Sequence, residues 1–231
     1  MADNILLVIG AYLFGSLPVL YWIGRWRGVD LRKEYDMHIS LWRKVGYKEG
    51  LSGILFDIFR GPVFPLIAWG LDMSKLTIGL AGLAVVAGQM WPLFHGFRYG
   101  GKGNTVGVGA AFAMVPLPMG WATISIALGA FLRAVPKLRK SAKKDADRFK
   151  FSGVSNSMPL GMFGGFGILP LVAWLLDEEM SMVWCLVGLF GMLMIRRLTA
   201  DLGKDMKAGF RTSLGAVLLT RFFLDRNYYR E

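Results

Sequence analysis

Six apolar blocks, most of them about as long as a bilayer core is thick, dominate the chain and leave few folds open to it. They cover residues 4–24, 51–71, 76–94, 105–132, 158–176 and 180–195. The fourth is too long for one ordinary span of about 20 residues and carries Val115, Pro116, Leu117 and Pro118 near its middle. Two prolines there remove backbone donors and crowd the preceding turn, so this block is predicted to break into a helical hairpin. Counting it twice gives about seven transmembrane helices, the piece 105–114 being the short one. A chain that is 54% hydrophobic and 19% charged, with mean hydropathy +0.45, has too much apolar surface for a soluble core. A bilayer can take that surface, provided the backbone satisfies its own hydrogen bonds in helices. The predicted fold is therefore all-α, a polytopic membrane protein. The 30 glycines agree with it, because glycine lets membrane helices approach closely.

Lys and Arg set the orientation. The connection after the first block holds Arg25, Arg27, Arg32, Lys33, Arg43, Lys44 and Lys48, and the one after the split block holds Arg133, Lys137, Arg139, Lys140, Lys143, Lys144, Arg148 and Lys150. Arg196 and Arg197 open the tail. The alternate connections hold Asp72 with Lys75, no charge at 115–118, and Asp177, Glu178 and Glu179. This positive-inside alternation predicts the N-terminus outside and the basic loops and C-terminus in the cytoplasm. The first block has neither a basic leader nor a small-residue cleavage site, so it is expected to be a retained helix. The net charge of +11 falls between apolar blocks, which points to anionic membrane lipid and anionic substrates and not to nucleic acid. Residues 1–200 read as the transmembrane domain and 201–231 as a basic cytoplasmic tail. Within that tail, 213–224 is too short to span and suits either an interfacial helix or one packed on the bundle.

The strongest local feature is the segment from Gly96 to Thr105, GFRYGGKGNT. Its glycines let successive N–H groups turn toward one anion, Arg98 and Lys102 add charge, and a helix follows whose N-terminus favours phosphate. It matches most of a nucleotide-binding P-loop, but Gly103 stands where Ser or Thr would hold magnesium, and an apolar block precedes it in place of a strand. The bland alternative is a charged inside loop that only fixes topology. Asp57 and Arg60, three apart on one helix face inside a span, are expected to pair as a structural ion pair. Ser152, Ser155 and their neighbours can bind substrate or cap the next helix. The histidines, His38 and His95, lie in different loops; no Ser-His-Asp arrangement and no metal-ligand spacing can be read, and Cys185 is a single cysteine within an apolar run. No cofactor and no metal is expected.

At these residues the chain resembles the acyl-phosphate:glycerol-3-phosphate acyltransferases, the PlsY family. Gly15, Ser16, Leu17 and Pro18 followed by Tyr21, Trp22, Ile23, Gly24 and Arg25 are similar to the family's G-S-I-P…Y-L-I-G-[KR]. Gly28, Asp30 and Arg32 resemble its G-x-D-I-R, and Asp57, Arg60 and Gly61 its D-x-x-K-G. Gly88 to Pro92 and Gly96 to Gly103 resemble its G-H-x-x-P…G-F-K-G-G-K-G. Departures are specific. The family's G-S-G-N-x-G-A-T-N-x-x-R loop is here the shorter 34–43, keeping only Arg43; its His before proline is Gln89; Tyr99 is an extra residue; and its late R-H-R-E-N becomes Arg196 to Asp201, RRLTAD.

The resemblance implies a seven-helix multi-pass protein of the cell inner membrane with its active face toward the cytoplasm. It implies transfer of an acyl group from acyl phosphate to glycerol 3-phosphate, giving lysophosphatidate for phospholipid synthesis. Acyl phosphate is a mixed anhydride with a good leaving group, so the site need only hold two anions together and stabilise charge. Lys102, Ser152 and Arg43 are the implied catalytic residues. Arg98, Gly100, Gly101, Gly103, Ser155 and Arg197 are the implied substrate-binding residues, with Arg197 standing in for the missing late His. Two rivals remain: a catalytically degenerate relative that binds lipid or phosphate, and a small transporter, against which stand the scarcity of charge deep in the spans and the lack of an internal repeat.

Overall fold

The computed structural model describes residues 2–31, 37–139, 157–200, 202–203 and 213–225. Among them every regular element is helical: α1 Ala2–Gly15, α2 Val19–Trp26, α3 Met37–Lys44, α4 Tyr47–Arg60, α5 Val63–Gly70, α6 Lys75–Met90, α7 Asn104–Met114, α8 Pro116–Arg139, α9 Ser157–Leu175, α10 Met180–Thr199 and α11 Leu214–Leu224, with a 3₁₀ turn at Leu93–His95. Five helical stretches are long and apolar enough to cross a membrane: Ala2–Trp26, Tyr47–Gly70, Lys75–His95, Met158–Leu175 and Met180–Thr199. In the split block α7 is only 11 residues, about 16 Å long, and the apolar part of α8, Pro116–Leu132, is also shorter than those stretches.

The expected hairpin break is present. Val115 leaves the helical region at φ −143°, and α8 restarts at Pro116, a first-turn position where proline's missing donor costs nothing. One of the carbonyls freed at the end of α7, that of Ala113, accepts from Trp69 Nε1 at 3.0 Å. The first two blocks, expected as continuous helices, are also interrupted. Leu17 and Pro18 separate α1 from α2, and Gly61 and Pro62 separate α4 from α5. The reason is the same in both: proline lacks the donor that would continue the ladder.

α6 is the central helix, most of its residues from Thr77 to Met90 buried against α1, α5, α7 and α10. Small residues make that possible. A side chain at Gly15 would strike the Val85 carbonyl, and one at Gly88 the Tyr12 carbonyl, so α1 and α6 touch backbone to backbone. Tyr12 Oη donates to the Trp91 carbonyl at 2.7 Å and fixes the end of α6. α8 and α9 pack in the same way through Gly129 and Gly161, with Ser125 Oγ donating to the Gly161 carbonyl at 3.2 Å. Large apolar side chains such as Ile5, Leu6, Leu66, Leu117, Trp174 and Trp184 lie outward, as lipid-facing surface requires.

Candidate functional site

The loop from Trp91 to Gly103 joins α6 to α7 and is held in an uncommon backbone path. Gly96, Phe97 and Tyr99 all have φ near +60°, which costs energy at Phe97 and Tyr99 because an L side chain crowds its own carbonyl there. Tyr99 is the residue that the PlsY pattern lacks, so the extra residue is absorbed by a left-handed kink just before the glycines. Gly103, at φ +80°, caps α7. The first N–H groups of α7 have no acceptor within the helix, and no side chain among the described residues caps them.

The structure corrects the expectation that the loop amides all face one anion. The Gly101 N–H donates to the Gln89 carbonyl at 3.0 Å. A Cβ at Gly100 would collide with the Met90 carbonyl, so this glycine is needed for packing onto the end of α6. The Gly100 and Gly101 carbonyls are taken by Arg196 of α10, through Nη2 at 2.7 Å and Nε at 3.0 Å. The Arg196 guanidinium lies 5.9 Å from the Trp91 ring centre. Gly100 and Gly101 thus hold the loop in place, while Lys102 and Gly103 lead into the first turn of α7.

Lys102 is not an idle surface charge. Its Nζ lies 2.9 Å from Asp225 Oδ1 and donates to the Asp225 carbonyl at 3.2 Å, with the two side chains only 20% and 11% exposed. Arg98 is exposed on the turn before the glycines, and Arg43 is exposed in the last turn of α3. Ser152 and Ser155 lie outside the described residues. Arg197, expected beside substrate phosphate, is 2% exposed, and its Nη1 and Nη2 donate to the carbonyls of Phe222 and Pro159, both at 3.3 Å. That places it between α9, α10 and α11 as a tie, and its neighbour Arg196 reaches the loop instead.

A small cleft opens beside the loop, between the α1–α2 break, α4 and the end of α6. Ser16, Tyr21, Gln89, His95, Tyr99, Gly100 and Gly101 line it, together with Asp57 and Arg60. The expected ion pair is formed: Arg60 Nη2 to Asp57 Oδ1 is 2.6 Å, both side chains almost fully buried. Arg60 Nη1 also donates to the Leu17 carbonyl at 2.9 Å, satisfying backbone freed where Pro18 breaks the first block. Sequence reasoning missed Arg196 and Asp225, because the loop is 95 residues before one and 123 before the other. The double arginine closing α10 is the only signal that pointed toward either.

Comparison with known proteins identifies the relatives of this chain. The sequence profile of the family described as "Glycerol-3-phosphate acyltransferase" matches residues 5–207. Among curated relatives, glycerol-3-phosphate acyltransferase 5 of Dehalococcoides mccartyi (strain ATCC BAA-2266 / KCTC 15142 / 195) is 30% identical over 96% of this chain and 88% of its own length. Glycerol-3-phosphate acyltransferase 4 of Dehalococcoides mccartyi strain CBDB1 is 28% identical over 96% of this chain and 89% of its own length. The crystal structure of PlsY, an integral membrane glycerol 3-phosphate acyltransferase, in its glycerol 3-phosphate form, superposes with a TM-score of 0.61 at 25% identity, covering 94% of this chain and 98% of that one. With a profile match that runs from α1 past α10 and takes in the whole Gly-rich loop, the chain belongs to the glycerol-3-phosphate acyltransferase family.

Proposed function

We propose that the chain transfers an acyl group from acyl phosphate to the 1-hydroxyl of glycerol 3-phosphate, forming lysophosphatidate and releasing inorganic phosphate. The observation that carries this reading is Lys102, fixed by a glycine loop at the N-terminal end of α7 and already holding a carboxylate. An ammonium beside a helix N-terminus suits a phosphate, and the phosphate of a mixed anhydride is the group that leaves. In this reading Lys102, Gly103 and the first turn of α7 bind the donor phosphate, and Gly100, Gly101 and Arg196 hold the loop. Arg43 and Arg98 are exposed cations available to the acceptor's phosphate, and Ser152 and Ser155 hydrogen-bond substrate. Arg197 contributes by fixing the α9–α10–α11 junction.

The membrane arrangement belongs to the same proposal. Residues 1–200 cross the bilayer seven times with the N-terminus outside, α7 reaching full depth by borrowing loop residues. The basic loops, the site and the tail 201–231 face the cytoplasm, following the Lys/Arg alternation. The acyl chain lies between helices. The test is an assay of purified protein with palmitoyl phosphate and glycerol 3-phosphate, with palmitoyl-CoA as comparison donor. Lysophosphatidate from the acyl phosphate is the expected result. Binding of both substrates without product would mark a catalytically silent relative, and no binding of either would remove the reading.

A further inference from the structure

We propose that Asp225 is an internal competitor for the donor phosphate: the tail lays a carboxylate on Lys102, and an incoming phosphate must displace it. This rests on Lys102 being the donor-phosphate ligand.

The tail helix delivers Asp225 to that point by contacts that do not depend on the pair. Arg221, fully buried, donates through Nη1 to the carbonyls of Ala200 at 2.6 Å, Leu198 at 3.2 Å and Arg197 at 3.3 Å, closing the end of α10 with α11. Arg197 returns a bond to the Phe222 carbonyl. Phe222 and Phe223 pack on Phe163 of α9, with ring centres 5.3 and 5.0 Å away. α11 ends at Asp225, which turns left-handed at φ 53° as the C-cap, its N–H on the Arg221 carbonyl. The helix is therefore anchored to the bundle, and the carboxylate hangs from its last turn onto Lys102. α11 also lies beyond residues 5–207, so the contact sits on a part of the chain outside the family match.

The charge logic is direct. Asp225 Oδ1 stands at a normal ion-pair distance from Nζ, where an oxygen of a bound phosphate would stand. A phosphate cannot share that position with a carboxylate without like-charge repulsion. Displacing Asp225 costs the same free energy whichever anion does it. The carboxylate therefore weakens donor binding and inorganic phosphate binding by one common factor, and its return to Lys102 helps the product phosphate to leave.

Asp225→Asn keeps the shape and the backbone contact to Nζ but removes the charge. In the full-length enzyme we expect the KM for palmitoyl phosphate and the inhibition constant for inorganic phosphate to fall together, by roughly two- to tenfold, because a pair only 20% and 11% exposed is screened less than one on the open surface. We expect kcat to hold, or to fall alongside the KM change as phosphate release slows, and not to rise. In a Lys102→Ala background the same substitution should do nothing. Unequal shifts, no shift, or a lower kcat with unchanged KM would each overturn the competitor role. Lys102→Ala alone separates the two readings. If it leaves donor KM unchanged, the phosphate site itself is wrong; if it raises KM while Asp225→Asn has no effect, only the competitor is wrong. Asp225→Ala, which cannot hold Lys102 through its side chain at all, guards against residual pairing by the amide.

Discussion

Each glycine of the loop answers to a different neighbour, and this separates their expected phenotypes. A Cβ at Gly100 meets the Met90 backbone carbonyl, which cannot yield, whereas one at Gly101 meets the end of the Gln89 side chain, which can rotate away. Gly100→Ala should therefore raise the donor KM and lower thermal stability more than Gly101→Ala. Gly103→Ala carries a further cost of about 1–2 kcal/mol from its left-handed backbone, readable in denaturation midpoints. Arg196 acts through the loop. Arg196→Gln should raise donor KM more than it lowers kcat, and Arg196→Lys should recover part of the loss by restoring one donor to the Gly100 and Gly101 carbonyls. A purely structural Arg196 would lower stability in both variants and leave KM alone.

At the level of elements, the apolar blocks and their breakers were legible because both act locally: proline and glycine end helices wherever they stand. The split at Val115 could be read for that reason. The interruptions at Pro18 and Pro62 carried the same signal, but block hydropathy averaged across them. What sequence cannot supply is which distant group satisfies the backbone at a break. Arg60 does so for Leu17, 43 residues away, while also neutralising Asp57. Arg60→Leu is expected to destabilise by about 3–5 kcal/mol, because it leaves a buried carboxylate uncompensated. Asp57→Asn with Arg60→Gln should cost clearly less than the single change when unfolding in detergent is compared. Equal losses would mean the pair itself adds little and the Leu17 contact accounts for the effect. The tail shows the same boundary of legibility. Its helix could be read from its apolar run, but two placements fitted, and the choice depended on Arg221, an arginine whose buried position among α10 carbonyls leaves no trace in local composition.

For the molecule as a whole, orientation decides whether the proposed chemistry is reachable. The Gly-rich loop, Arg43 and the tail helix stand on connections that alternate with the acidic turn at Asp177 to Glu179, so all of them share one face only if the number of crossings between them is even. Five stretches are long and apolar enough to cross, and for that shared face the α7–α8 hairpin must contribute two crossings or none. Two crossings, one per arm, keep the basic connection near Lys140 on the side of Lys102, and so does a hairpin that dips in and returns without crossing. Labelling alone therefore fixes sidedness, and a probe placed at the break fixes depth. In a Cys185→Ala background, which removes the single native thiol, a cysteine at Lys140 should react with a membrane-impermeant maleimide only after the membrane is opened, and one at Asp177 should react in intact cells. A cysteine at Leu117, exposed at the start of α8, should follow Asp177 if the hairpin crosses fully. Protection of Leu117 from both sides would mean a re-entrant hairpin and five crossings. Labelling of Lys140 in intact cells would turn the site outward, away from the cytoplasmic face that the Lys/Arg pattern assigns to it, and the acyltransferase reading would fall with the orientation.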